Sequence, residues 1–307
     1  MTNVSTSAFY QNAIASMTDL RKQTEKLQAQ IDTGSTIQHS RDNPLAAAQM
    51  RALQAADTLA SADKANTSAA KTQLTQTDDT LSQFTDILSQ ITTLTTQAAS
   101  STLSDSQRAS VGQQIGAYYD SLANLANTKD AQGNPLFGGQ ATGNAYTFDP
   151  TTGAPTYNGT TTASTLSLGP GLSVTTGVTG PEFLDFQSGG VSKNLLTTVK
   201  TLANTLQNPS STAAAVSAAK NALDDLGAAT ASVSASQTVV GARLDWIITT
   251  TNMQTQTAAQ RATREADVGG TDLAATIAKL SQQMTVLQAA QSSFVKVANL
   301  SLFSMLN

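Results

Sequence analysis

Two pairs of adjacent carboxylates, Asp78-Asp79 and Asp224-Asp225, are the first candidates for acid–base work in this sequence. Successive residues on a helix diverge by about 100°. Neither pair can therefore face a substrate as the two acids of a glycosidase must, and both are expected to be solvated helix charges. His39 is the only histidine and has no partner base or nucleophile in reach of a motif, so a surface or packing role is expected. The chain has no cysteine, which excludes a thiol nucleophile, a disulfide framework and a Cys-based zinc site. Gly189-Gly-Val-Ser-Lys193 has the flavour of a phosphate loop but lacks its Gly-Lys-Ser/Thr ending, and reads as a linker into a helix. Asn158-Gly-Thr160 fits a glycosylation triplet within a turn. Tyr146, Phe148 and Tyr157 could form a stacking platform for a glycan, but packing inside a small β domain is the expected use. Trp246, beside Ile247, is expected in a core. No catalytic, cofactor or metal constellation emerges, and the chain is not expected to be an enzyme.

The composition narrows the partners. The 307 residues carry 17 Lys+Arg against 21 Asp+Glu, a net charge of −4, with only 12% charged residues; soluble globular proteins usually have about 25%. An acidic chain without a basic block is a poor nucleic-acid binder, because such binding rests on neutralising phosphates. No run approaches the 18 or so apolar residues that a membrane span requires. The segment Met1–Tyr10 has neither a basic start nor an apolar run, so no cleavable signal peptide is expected.

The elements that would position any site fall into three zones. The outer two are rich in Ala, Gln, Ser, Thr and Leu. Residues 133–190 hold 12 of the 19 Gly, five of the seven Pro and six of the 14 aromatic residues, with no Lys or Arg. In the first zone Tyr10, Ala13, Met17, Leu20, Thr24, Leu27 and Ile31 alternate steps of three and four, as do Leu74, Thr77, Leu81, Phe84, Leu88 and Ile91. Val111, Ile115, Tyr118, Leu122 and Leu125 follow, after a capping-box sequence at Ser104-Asp-Ser-Gln107. The last zone repeats the pattern at Leu223, Leu226, Thr230, Val233, Gln237, Val240, Leu244 and Ile247. It does so again at Leu273, Ile277, Leu280, Met284, Leu287, Gln291, Phe294, Ala298, Ser301 and Met305. Such spacing is the seam of helices packed lengthwise. Thr33-Gly34 ends the first helix, Asn43-Pro44 starts the next, and Asn208-Pro209 interrupts another. In the middle zone, short β-prone runs at 144–148, 165–168 and 172–174 alternate with Gly, Pro and Asn-Gly, predicting hairpins. The expected fold is mainly α with a small β insertion: long heptad helices from both termini packed as a bundle or coiled coil, and a β-rich region between. The expected domains are 1–45 plus 268–307, 46–132 plus 191–267, and 133–190.

The last helix carries only Asp272, Lys279 and Lys296 as charges, and the face opposite its apolar seam is Ser, Thr and Gln. A helix with one side in bulk water usually carries more charge there. Either the chain's own core buries it, or copies of the same protein or an enclosed space cover its two faces. Twelve side chains of the terminal seams are the expected subunit interface: Tyr10, Met17, Leu20, Leu27, Ile31, Leu273, Ile277, Leu280, Met284, Leu287, Phe294 and Met305.

Three segments together resemble the axial proteins of the bacterial flagellum, within the flagellin superfamily, and the hook-associated protein 3 family most. The first is the helix ending at Thr33-Gly34 with its continuation Ser40-Arg-Asp-Asn-Pro-Leu-Ala-Ala-Ala48. The second is Leu103-Ser-Asp-Ser-Gln-Arg-Ala109 with Leu122-Ala-Asn-Leu-Ala-Asn127 and the turn Asp130-Ala-Gln-Gly-Asn-Pro-Leu-Phe-Gly-Gly139. The third is Leu280-Ser-Gln-Gln-Met-Thr-Val-Leu-Gln-Ala-Ala290 through Leu300-Ser-Leu-Phe-Ser-Met-Leu-Asn307. The likeness implies a structural protein, without cofactor, exported through the flagellar type III apparatus and located outside the cell at the hook–filament junction. It implies a homo-oligomeric ring between hook-associated protein 1 and flagellin, and an export chaperone that masks the last helix beforehand. The alternatives are a minor flagellin that forms filament and, in another class, a surface adhesin or glycan-binding module. Short of neighbouring copies, pairing the two terminal helices is expected to be marginal, since an isolated helix gains little from its own hydrogen bonds. Amide exchange on the dilute monomer is therefore expected to show fast exchange in the first 30 and last 30 or so residues; uniform protection would contradict this.

Overall fold

The computed structural model describes the backbone of residues 2–305 and the side chains of residues 8–298. The element order is α1 (Thr2–Thr33), α2 (Pro44–Ala98), α3 (Asp105–Ala126), β1 (Tyr146–Phe148), β2 (Pro155–Tyr157), β3 (Thr165–Gly169), β4 (Leu172–Thr175), α4 (Gly180–Leu184), β5 (Asp185–Ser188), β6 (Val191–Asn194), α5 (Leu195–Gln207), α6 (Thr212–Gly269) and α7 (Leu273–Met305). The fold is mainly α with a small β insertion, as the three zones predict. The contacts divide it into one unit of residues 1–59 with 256–307 and another of residues 60–255.

Helix ends follow the sequence punctuation closely. Gly34 adopts φ +66°, which ends α1 at no steric cost. Pro44 opens α2, and Asn43 Oδ1 accepts the Ala46 N–H at 3.1 Å. At α3 the capping box forms in both directions: the Gln107 N–H donates to Ser104 Oγ and the Ser104 N–H donates to Gln107 Oε1. One boundary differs. After Asn208-Pro209 the chain stays irregular, and α6 begins at Thr212, where Ser211 Oγ accepts the Ala214 N–H.

In the 60–255 unit, the seam residues Leu74, Thr77, Leu81, Phe84, Leu88 and Ile91 of α2 are all fully buried. They meet Val111, Ile115 and Leu122 of α3, the apolar face of α5, and Leu226, Val233, Val240 and Ile247 of α6. Buried threonines interrupt this core at low cost, because the hydroxyls of Thr77, Thr80, Thr95 and Thr250 each donate to the carbonyl four residues earlier. Arg108 is also fully buried. Its guanidinium takes the carbonyls of Ala98 (3.1 Å) and Ser100 (2.9 Å) and the Asp105 carboxylate (3.1 Å), closing off the otherwise unsatisfied end of α2.

The β region is three separate antiparallel ribbons, β1–β2, β3–β4 and β5–β6. Two of them differ from the sequence reading. Asn158-Gly159 lies beyond β2, and the β1–β2 connection is instead residues 149–154, where Asp149 accepts the N–H groups of Thr151 and Thr152. Gly189 and Gly190, read as linker, form the tight turn of β5–β6 with φ +59° and +77°, and α5 follows directly. A two-stranded ribbon is marginal on its own, so the ribbons depend on the helices. Phe183 from the middle zone stacks within 5.1 Å of Phe84 on α2 and 4.7 Å of Phe137. Removing that centre by Phe84→Ala is expected to lower stability by about 3–5 kcal/mol, read as a fall in the denaturation midpoint followed by circular dichroism.

Candidate self-assembly surface

In the unit of residues 1–59 and 256–307, α1 and α7 run antiparallel. Tyr10 meets Phe294 edge to face at 5.5 Å, Gln283 Nε2 donates to Gln23 Oε1 at 3.1 Å, and Ser35 bridges to Gly270. On α1 the inward residues are those of the predicted seam, yet Tyr10, Met17, Leu20, Leu27 and Ile31 are only half-buried. On α7 the seam facing α1 is Thr276, Leu280, Gln283, Leu287, Ala290, Phe294 and Ala298. Of the predicted heptad series on α7, Leu280, Leu287 and Phe294 face α1. Leu273, Ile277 and Met284 of that series do not. They lie on the adjoining face, 48%, 50% and 55% exposed, and Val295 continues it at 56%. Val286 and Val297 are exposed on the opposite flank of the same seam. The side chain of Met305 lies outside the described residues. Periodicity missed Thr276, Gln283 and Ala290 because α7 is apolar across two neighbouring faces, and the 3–4 pattern fits either.

This arrangement covers too little. A side chain such as Leu gains about 1.5–3 kcal/mol on full burial, and no large apolar residue described on α1 or α7 is fully buried. Exposed apolar strips thus flank the seam on both sides, and contiguous strips of this sort commonly occur at interaction surfaces. Gln23 is exposed at the edge of the seam, and its bond to Gln283 ties the two helices there. Gln283 Oε1 itself has no partner among the described residues.

The pair is anchored where both helices break. The Thr36 N–H donates to the Gly269 carbonyl at 2.8 Å, and the Thr271 N–H donates to that of Gly34 at 3.1 Å. Gly270 is required there, since a Cβ would sit 2.4 Å from the Ala266 carbonyl oxygen. In the loop after α1, Asp42 accepts the His39 N–H at 3.0 Å and pairs with Lys26 at 3.6 Å. The backbone N–H of His39 contributes most to holding the Asp42 carboxyl below its ordinary value, and Lys26 adds to it. His39 is exposed, as expected.

The remaining candidates disperse. Asp224 is solvated, but Asp225 is buried: its two carboxylate oxygens each accept from Lys193 Nζ at 2.7 Å, so this pair member is a structural ion-pair partner and not a surface charge. Its partner comes from the Gly189–Lys193 stretch. Asp57 accepts from Arg261 Nε at 2.6 Å, which holds its carboxyl low, while a hydrogen bond with Asp57 pushes the Glu265 carboxyl up. Tyr146 is buried against Tyr157 and Gly180, with burial pushing its hydroxyl up. The Tyr157 hydroxyl lies within hydrogen-bonding distance of the Phe137 and Thr160 carbonyls. The aromatic platform is thus taken up by packing. Trp246, in contrast, is 39% exposed while its neighbour Ile247 is fully buried. Among the described residues no cluster of His, Cys, Asp or Glu could hold a metal ion, and no helix is long and apolar enough to cross a membrane.

Comparison with known proteins agrees with this architecture. Residues 4–142 match the model of the bacterial flagellin N-terminal helical region. The flagellar hook-associated protein 3 of Salmonella typhimurium is 25% identical over 98% of this chain and 99% of its own length. That of Escherichia coli is 27% identical over 98% of each. The chain is therefore similar to flagellin over residues 4–142 and to hook-associated protein 3 along nearly its whole length. The fold is also that of hook-associated protein 3 from Legionella pneumophila, with a TM-score of 0.65 at 16% identity, over 71% of this chain and 98% of the other. These relatives are flagellar structural proteins and not enzymes, and the likeness supports a structural role in a flagellum.

The two faces of α7 make separable predictions. Ile277→Asp with Met284→Asp is expected to leave the helix content and thermal midpoint of the monomer unchanged while abolishing its association in sedimentation. Leu280→Asp, inside the α1–α7 seam, is expected to lower helix content as well.

Proposed function

We propose that the chain is a structural protein of the hook–filament junction, assembling as a ring of copies that connects hook-associated protein 1 to flagellin. The observation that carries this reading is the end-to-end similarity to hook-associated protein 3 together with the two uncovered apolar strips of α7. In the assembly the terminal helices, residues 1–45 with 268–307, form an inner tube. Residues 46–132 with 191–267 form a helical domain outside it, and residues 133–190 face outward. The twelve terminal side chains from Tyr10 to Met305 contribute to the contacts between copies. The chain reaches this place outside the cell by the flagellar export route, and a chaperone covers α7 until then. An apolar helix with so few charges is a hazard in isolation, which gives the chaperone its physical purpose.

A strain lacking the protein is expected to make hooks without filaments and to lose flagellin to the medium. Normal filament length in that strain would remove the junction role and favour the minor-flagellin reading.

A further inference from the structure

The outer face of α6 carries a second 3–4 series that the core does not use: Ala235, Val239, Ala242, Trp246 and Thr249, all exposed and uncharged. The buried series runs one residue later, through Ser236, Val240, Ile247 and Thr250. Val239 is 45% and Trp246 39% exposed, and the Trp246 indole N–H makes no hydrogen bond among the described residues. A heptad ridge with the chain's single tryptophan at its middle has the form of a partner-binding seam, since tryptophan is enriched at the centres of interfaces.

A matching surface lies on α2. A cavity of about 580 Å³ opens there between Ala69, Thr72, Gln73 and Gln76 of the helix and the loops around Asp130 and Gln140. The helix contributes small residues that let another backbone approach. The side chains of Gln73 and Gln140 make no internal hydrogen bond among the described residues and can accept an indole N–H. Asp130 is its one charged lining residue, and that carboxylate is already committed to the N–H groups of Gln132 and Asn134.

The two surfaces point in opposite directions. Thr85 on α2 donates to Gln237 on α6, which marks the side on which the two helices meet. At about 100° per residue, the ridge lies roughly 160° around α6 from Gln237, and the cavity residues roughly 170° around α2 from Thr85. One chain cannot bring its own ridge to its own cavity. The charges beside them are complementary: Asp245 flanks the ridge and Lys129 borders the cavity, where its carbonyl accepts from Gln76, and both are exposed without an ion-pair partner among the described residues.

We infer that the Val239–Trp246 ridge of one copy docks in the α2 cavity of the next, a head-to-tail contact with Asp245 of one copy beside Lys129 of the other. Such a heterologous contact repeats around a ring or along a helix instead of closing as a dimer. The inference rests on the self-assembly proposed above and adds to it a contact outside the terminal helices.

The absence of native cysteine allows a direct test with the full chain. Under mild oxidation, an equimolar mixture of the Val239→Cys and Thr72→Cys variants is expected to give a disulfide-linked pair, while either variant alone gives none. Asp245→Lys is expected to raise the concentration needed for association about tenfold, and adding Lys129→Asp in the same chain to restore it; simple misfolding would not be rescued. If the wild-type chain associates but the mixed cross-link is absent, or Val239→Cys links to itself, or the double variant is not restored, the α6–α2 contact is wrong and self-assembly stands. If the wild-type chain sediments as a monomer at every concentration, self-assembly fails and this contact fails with it.

Discussion

The width of the apolar face on α7 decides how much the unit of residues 1–59 and 256–307 can bury within one chain. One helix can cover a stripe of roughly one third of its neighbour's circumference, and α1 does this along Thr276, Leu280, Gln283, Leu287, Ala290 and Phe294. Leu273, Ile277, Met284 and Val295 on one flank, with Val286 and Val297 on the other, remain beyond its reach. Broadening the cover requires further helices, and the unit of residues 1–59 and 256–307 has none placed on those flanks. The same shortage explains why no large residue described in the α1–α7 seam is fully buried, in contrast with the fully buried α2 seam. One unit buries its large seam residues fully within the chain, and the other leaves two apolar strips of α7 exposed.

Much of this was legible in the sequence because helices declare themselves twice, by period and by punctuation. Gly34, Pro44 and the Ser104–Gln107 box each fixed an end to within a residue, and the seam from Leu74 to Ile91 named a core that is wholly buried. The errors have physical causes. Trp246 reads as core because it adjoins Ile247, yet adjacent residues on a helix point about 100° apart, and the series containing Ile247 took the interior. Asp225 reads as solvated because sequence does not reveal that Lys193 lies across from it. On α7 the pattern Leu273, Ile277, Leu280, Met284 is as regular as the observed one. Only the partner helix decides between them.

The ribbons show the limit of local signals in another way. Gly189-Gly190 was visible as a break but not as a turn, because a two-residue hairpin is specified as much by what flanks it as by its glycines. The strands Asp185–Ser188 and Val191–Asn194 lack strong β composition. They are held by packing Phe186 and by the Lys193–Asp225 pair onto the helices. Tertiary context overrides weak β propensity here, as it commonly does.

The clip that joins Thr36 to Gly269 spans 233 positions of the chain. Helix α1 can therefore find its mate only after the residues between the two have been made. Contacts that distant in sequence close late, since a long loop must be drawn together before they return anything. A polypeptide threaded out from its amino end would thus complete its middle while its leading segment still trailed alone. The emergence of α7 would then set the moment at which the two helices zip.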